Sequence, residues 1–317
     1  MNIISPKKIN EYIGESVVGQ KQARRVISTA MFLHFARCMS LGMGGKQFKK
    51  SNSLLMGPSG SGKTLIVREA IKAVGEISKY KMAPLLEIDC TSLSARGWEG
   101  DDVQDLLEEH YRANWRDKFA LASTVVFLDE VDKMCMPAVG KSGTDHNRKT
   151  QYGLLKIVEG MKLPVAKDQH LDTSSMMFVF AGNFPQIRHL AAARAKPAMG
   201  FSGEIQPPVV DLHQQLEKGG MITQLVGRIS SIGELDRLDR KQLRSILVDH
   251  ILPEYKEMCD FLGYEMQASN YYIRKMVDEA DSKGTGARGL QSAVDKWLED
   301  DIYNMKFECP FPGDDDE

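Results

Sequence analysis

The stretch Leu54-Leu55-Met56-Gly57-Pro58-Ser59-Gly60-Ser61-Gly62-Lys63-Thr64-Leu65 runs from a short apolar segment through a glycine-rich loop into a helical pattern. Gly57 to Thr64 match GxxxxGK[ST] at every position, and a strand before with a helix after is the context this pattern needs. The glycines let backbone N–H groups turn inward as an anion cradle, and a helix opening at Lys63 points its positive end at the same spot. In such loops the lysine bridges β- and γ-phosphate oxygens and the hydroxyl after it holds Mg²⁺. Gly57, Pro58, Ser59, Gly60, Ser61, Gly62, Lys63, Thr64 and Leu65 are therefore the expected ATP-binding segment, with Thr64 as a Mg²⁺ ligand.

A second segment complements the first. Val125-Val126-Phe127-Leu128 is an apolar run that delivers Asp129 and Glu130 to its end. In an open parallel sheet the carboxyl ends of the strands face the ligand crevice. Asp129 is placed to hold Mg²⁺ through water, and Glu130 to polarise an attacking water. Paired acids after a strand also serve as helix N-caps, so the assignment leans on the glycine loop.

Composition sets the frame. The 317 residues allow two domains, and 42% hydrophobic with 26% charged residues is ordinary for a globular chain. Lys+Arg 41 against Asp+Glu 43 leaves a net charge of -2, which weighs against a wholesale nucleic-acid binder. No apolar run approaches the ~18 residues of a membrane span, and the first residues begin no apolar secretion signal. A cytoplasmic protein is expected. Cys38, Cys90, Cys135, Cys259 and Cys309 are widely scattered, which suits isolated thiols better than a metal site or a disulfide framework.

Ala23, Val26, Ile27, Ala30 and Met31 have the spacing of one buried helix face. Residues 125–128 and 176–181 read as buried strands, 85–88 as a weaker one because Glu87 interrupts it, and 137–147 and 196–208 as loops. Helices dominate beyond Gly233, over 240–259, 271–282 and 288–304. The expected organisation is an α/β domain with a parallel sheet over 1–232, a smaller helical domain over 233–310, and an acidic tail over 311–317.

In this order the pieces resemble the AAA+ ATPases, specifically the ClpX/HslU unfoldase branch, from about residue 13 to 305. The resemblance implies a large P-loop domain with a five-stranded parallel sheet and a small helical lid. Val17-Val18-Gly19-Gln20 matches the segment that packs on adenine, placing Val17 and Val18 against the base. Leu128-Asp129-Glu130-Val131-Asp132-Lys133 resembles the branch's Walker B sequence, and 153–160 its following helix. Asn183, closing an apolar strand, stands at sensor 1, where it would orient a water or touch the γ-phosphate; a turn-forming role is the alternative. Val226-Gly227-Arg228-Ile229 resembles the box that carries the arginine finger, and Gly286-Ala287-Arg288-Gly289-Leu290 matches sensor 2. A finger supplied by a neighbouring subunit makes a ring necessary, and a hexamer is what the resemblance implies.

Gly97-Trp98-Glu99-Gly100 falls where the branch carries an aromatic pore loop, with Trp98 for the usual tyrosine and Glu99 for an apolar residue. An aromatic between glycines grips an extended chain by area and shape without reading its sequence. Met199-Gly200-Phe201 stands where the branch docks a ClpP-like peptidase through an Ile/Leu-Gly-Phe loop. The match does not extend to the four-cysteine zinc domain or the long inserted domain of the branch. Residues 136–150 lack the family sequence of the second pore loop. In the short 162–170 stretch only Lys162, Lys167 and His170 resemble the branch's basic substrate-facing loop. The resulting expectation is a ring-forming, ATP-dependent protein unfoldase acting on protein substrates, with a peptidase or adaptor as partner. The alternative is a nucleic-acid motor of the same superfamily, with Lys21, Arg24, Arg25, Lys46, Lys49 and Lys50 as basic patches.

Overall fold

The computed structural model describes residues 4–46, 48–80, 85–95, 101–114, 118–139, 143, 145–166, 169–187, 211–263, 266 and 268–303. Its strands are β1 (Ser53–Met56), β2 (Leu86–Asp89), β3 (Val125–Asp129), β4 (Lys162–Ala166), β5 (Gln169–Asp172), β6 (Met177–Gly182) and β7 (Ser231–Glu234). The chain divides into two compact units. One comprises Met1–Glu15, Gln20–Gly57 and Lys63–Leu235; the other comprises Ser16–Gly19, Pro58–Gly62 and Asp236–Glu317.

The first unit is built on a five-stranded sheet in the order β2-β3-β6-β1-β7, with every pair parallel. β1 and β6 are buried along their whole length, and β3 up to its last residue, because both faces are covered and every position is apolar or small. Phe127, Phe178 and Phe180 are among the largest fully buried side chains. β2 is an edge strand, and Glu87 points outward to an ion pair with Arg68 at 2.6 Å. An interrupted apolar pattern is what a half-exposed edge produces.

β7 has no apolar run to announce it. Ser231-Ile232-Gly233-Glu234 becomes a strand by pairing with β1, from Ser53↔Ser231 to Met56↔Glu234. On its other side the Gln22 amide donates to the Ile232 carbonyl at 3.1 Å and accepts the Glu234 N–H at 2.6 Å. A Cβ on Gly233 would stand 2.8 Å from the Leu55 side chain and 3.2 Å from the Ala23 Cα, so glycine lets helix Lys21–Gly42 lie close over the sheet. The sheet therefore runs through Glu234. The first unit closes at Leu235, not at the 232/233 boundary expected from the loss of strand signals.

The stretch 162–170, expected as a loop, instead supplies β4 and the first half of β5, an antiparallel pair. Leu163, Val165 and Leu171 turn inward from it, the period-two burial that a hairpin needs. Within the 137–147 loop, Asp145 caps helix His146–Glu159 by accepting the Arg148 N–H. Stretch 196–208 lies outside the described residues.

The second unit packs helices Arg240–Ile246, Leu252–Phe261, Asn270–Lys283 and Gly286–Tyr303 around Leu243, Leu247, Met276, Ala280, Leu290, Val294 and Leu298. Asp239 and Gln242 form a reciprocal capping box at the first of these helices. Cys38, Cys90, Cys135 and Cys259 are free and buried. Among the described residues, no helix is long and apolar enough to cross a membrane.

Candidate active site

The parallel register gathers the polar groups at one edge of the first unit. Met56 lies opposite Gly182, and the Gly57 N–H donates to the Gly182 carbonyl at 3.0 Å. The phosphate loop therefore departs beside Asn183. β3 neighbours β6, and Asp129 lies opposite Asp89 of β2. Strands in a sheet sit about 4.8 Å apart. Gly57, Asn183, Asp129 with Glu130, and Asp89 thus stand at the carboxyl ends of four adjacent strands. Asp89 accepts from the N–H and hydroxyl of Thr91, at 2.8 and 2.7 Å.

Backbone strain is concentrated here. Among the described non-glycine residues, Gln20, Lys79, Glu130 and Phe184 have positive φ, and two of these four border the strand ends. Glu130, at φ 56°, leaves β3 in the left-handed region while the Asp129 carboxylate accepts its N–H at 2.9 Å. Phe184, at φ 44°, directly follows Asn183. Such conformations cost of order 1–3 kcal/mol each and persist where the surroundings enforce them. Gly182 shows that enforcement: a Cβ there would lie 2.7 Å from both the Asp132 carboxylate and the Phe184 ring. Glu130 and Asn183 are exposed, Asp129 half-buried.

Lys63 opens helix Lys63–Ser78 and donates to the Gly57 carbonyl at 3.0 Å, so its ammonium lies over the start of the loop. Within the loop Gly60 and Gly62 adopt φ +71° and +97°, which turns successive amides. Thr64 is half-buried and Leu65 is 40% exposed. The first unit's part of the donor set, a lysine ammonium at the start of the loop and the N-terminus of a sixteen-residue helix, fits a phosphate chain.

The second unit contains loop residues 58–62 and the arginine 229 positions away. Arg288 Nη1 donates to Ser59 Oγ at 3.2 Å, and the Ala287 N–H donates to the Gly60 carbonyl at 3.1 Å. A Cβ on Gly60 would stand 2.3 Å from the Thr285 carbonyl oxygen. Val17, also of this unit, is buried and Val18 half-buried.

Arg228 follows helix Thr223–Val226 in the first unit, about half exposed. Its Nε donates to Glu159 at 3.2 Å, and its Nη2 makes a closer contact with the same oxygen. Gly97, Trp98, Glu99 and Gly100, and likewise Met199, Gly200 and Phe201, lie outside the described residues.

Sequence reading passed over Glu159 and Gln151. Gln151 is buried on helix His146–Glu159, in a stripe with Asn147, Thr150, Leu154, Ile157 and Val158. Polar residues on an otherwise apolar stripe were the available signal. Buried polar groups must find partners.

Residues 53–196 match the family described as ATPase family associated with various cellular activities (AAA). A Treponema denticola protein named ATP-dependent Clp protease ATP-binding subunit ClpX is 30% identical over 328 residues, covering 95% of this chain and 77% of that protein. Proteins of the same name from Porphyromonas gingivalis and Azotobacter vinelandii are 29% and 28% identical, each over 95% of this chain and over 77% and 74% of their own lengths.

Proposed function

This chain belongs to the ClpX family of AAA ATPases, and on that premise we propose that it is a ring-forming protein unfoldase that threads polypeptide through a central pore. The observation that carries the reading is the convergence of Gly57, Lys63, Asn183, Asp129 and Glu130 at the carboxyl edge of one parallel sheet. ATP hydrolysis supplies the work.

The backbone N–H groups of residues 59–64 and the Lys63 ammonium bind and orient the phosphates, while Val17 and Val18 pack on the base. Thr64 and Asp129 would hold Mg²⁺, which when bound would neutralise charge on the phosphate oxygens. Glu130, exposed and fixed in its unusual backbone conformation, accepts the proton of the attacking water. Asn183 orients that water. Arg288 answers the nucleotide's charge within its own chain, and Arg228 is offered to a neighbouring copy. A finger supplied this way is worth on the order of 10³–10⁵ in rate in well-studied NTPases. The ring, hexameric as in the resemblance, follows from that shared site.

Trp98, flanked by Gly97 and Gly100, grips the threaded chain, and Glu99 biases it against acidic segments. Met199-Gly200-Phe201 docks a ClpP-like peptidase. The test is steady-state ATP turnover with and without an unfolded polypeptide, at concentrations that assemble a ring. Polypeptide should stimulate turnover, and Trp98→Ala should abolish unfolding while leaving nucleotide binding intact. Indifference to polypeptide, or unfolding retained by Trp98→Ala, refutes the threading reading.

A further inference from the structure

Three backbone groups meet on one buried side chain. Gln151 is 2% exposed. Its Nε2 donates to the Met134 carbonyl at 2.9 Å and to the Gly220 carbonyl at 3.1 Å, and its Oε1 accepts the Ile222 N–H at 2.8 Å. Met134 ends the short helix Val131–Met134, whose N-cap is Glu130. Gly220 and Ile222 lead directly into helix Thr223–Val226, which ends two residues before Arg228. One amide therefore joins the segment that begins at the proposed general base to the segment that ends at the proposed finger.

The surroundings make this junction close. Gly220 has φ +97°, and a Cβ there would stand 2.0 Å from the Cys135 carbonyl oxygen, so the two segments touch backbone to backbone. One turn earlier on the same helix, the Asn147 amide donates to the Lys133 and Met136 carbonyls at 3.1 and 2.7 Å. At the helix's far end, Glu159 receives the Arg228 guanidinium. Helix His146–Glu159 thus fastens both segments along its length, at residues 147, 151 and 159.

We infer that Gln151 is a positioning residue that sets Glu130 and Arg228 by a single buried amide, so that the acid serving one site and the arginine serving the next are placed together. Gln151 acts through these backbone groups and is none of the residues proposed to meet the nucleotide. A buried amide with all its polar groups satisfied fixes the position of each group it binds, because leaving any one unpaired carries a desolvation penalty. The inference rests on the proposed roles of Glu130 and Arg228, and its test separates the two.

Full-length chains carrying Glu130→Gln are mixed with chains carrying Arg228→Ala. Each is inactive alone, and the mixture recovers turnover where an intact acid meets an intact arginine across a subunit boundary. Without that recovery the shared-site reading itself fails. With recovery in hand, Gln151→Met is added first to the Glu130→Gln parent, where it acts on the finger alone, and then to the Arg228→Ala parent, where it acts on the acid alone. Loss of turnover in both arms, by about ten-fold with KM for ATP within two-fold, is the expected result, since small misplacements of catalytic groups are costly. Loss in one arm only, or in neither, overturns the inference. If Gln151→Met fails to assemble, Gln151→Glu keeps the acceptor for Ile222 and removes both donors. It should show the same two-arm loss, and Gln151→Glu turning over normally overturns the inference as well.

Discussion

Glu130 illustrates how much of a site can rest on one residue's backbone. Its φ of 56° turns the chain sharply out of β3, so that the side chain leaves the sheet at the strand's carboxyl end and does not follow its pleat. The Asp129 carboxylate holds that turn by accepting the Glu130 N–H. Replacing Glu130 with Gln preserves shape and removes the proton acceptor. Turnover should fall by about 10²–10⁴-fold, the usual range for a lost general base, with nucleotide affinity retained. A binding titration beside a turnover assay checks both halves. Gly60 makes the complementary case. Gly60→Ala combines left-handed backbone with a side-chain atom 2.3 Å from the Thr285 carbonyl oxygen. The left-handed conformation alone costs an alanine about 1–2 kcal/mol, so nucleotide affinity should drop at least ten-fold by equilibrium titration. An unchanged affinity would mean the loop has room that its geometry denies.

At the scale of elements, sequence legibility follows from where each element gets its burial. β1, β3 and β6 carry their own apolar residues, and the phosphate loop carries its own glycines, so local pattern suffices for all four. β7 was not legible, because Ser231, Ile232, Gly233 and Glu234 form a strand only through β1 and the Gln22 amide. The hairpin of β4 and β5 is short enough that Leu163, Val165 and Leu171 read as isolated apolar residues. Glu130 and Lys63 can be proposed from sequence because their neighbours announce them. Gln151 and Glu159 are not legible this way, since each has a partner 69 residues away, at Gly220 and Arg228. Gly220 tests that packing independently of the catalytic groups. Gly220→Ala drives a methyl toward the Cys135 carbonyl, and should lower the thermal midpoint of the first unit by several degrees, corresponding to at least ~2 kcal/mol. A midpoint within one degree would show that the two segments part easily.

Among the described residues two histidines, His34 and His110, have pKa values lowered by burial, and His34 makes an identifiable contribution to the response to acid. Its Nε2 lies 3.0 Å from the Ser123 carbonyl oxygen, and burial pushes its pKa down to about 4 from the ordinary 6.5. The unfolded chain therefore takes up a proton below pH 6.5 that the folded chain refuses until pH 4. His34 costs nothing above pH 6.5, and stability declines as pH falls from 6.5 towards 4. Between pH 6.5 and 5 this amounts to about 2 kcal/mol. Denaturant unfolding at pH 7.5 and 5 should show the drop. His34→Gln keeps a donor for Ser123 and should make the decline shallower; an equally steep decline in the variant would place the acid sensitivity elsewhere.

The Gln22 amide on β7 has a consequence if the protein handles unfolded chains as proposed. An open sheet edge is a template on which any extended polypeptide can continue the ladder, the route to co-aggregation. Gln22 occupies the outward carbonyl of Ile232 and the outward N–H of Glu234, the pair a visiting strand would need. Helix Lys21–Gly42 also lies close over the face of the sheet at Gly233. On the proposed function, denatured cargo at high local concentration would find no place to continue the sheet along β7.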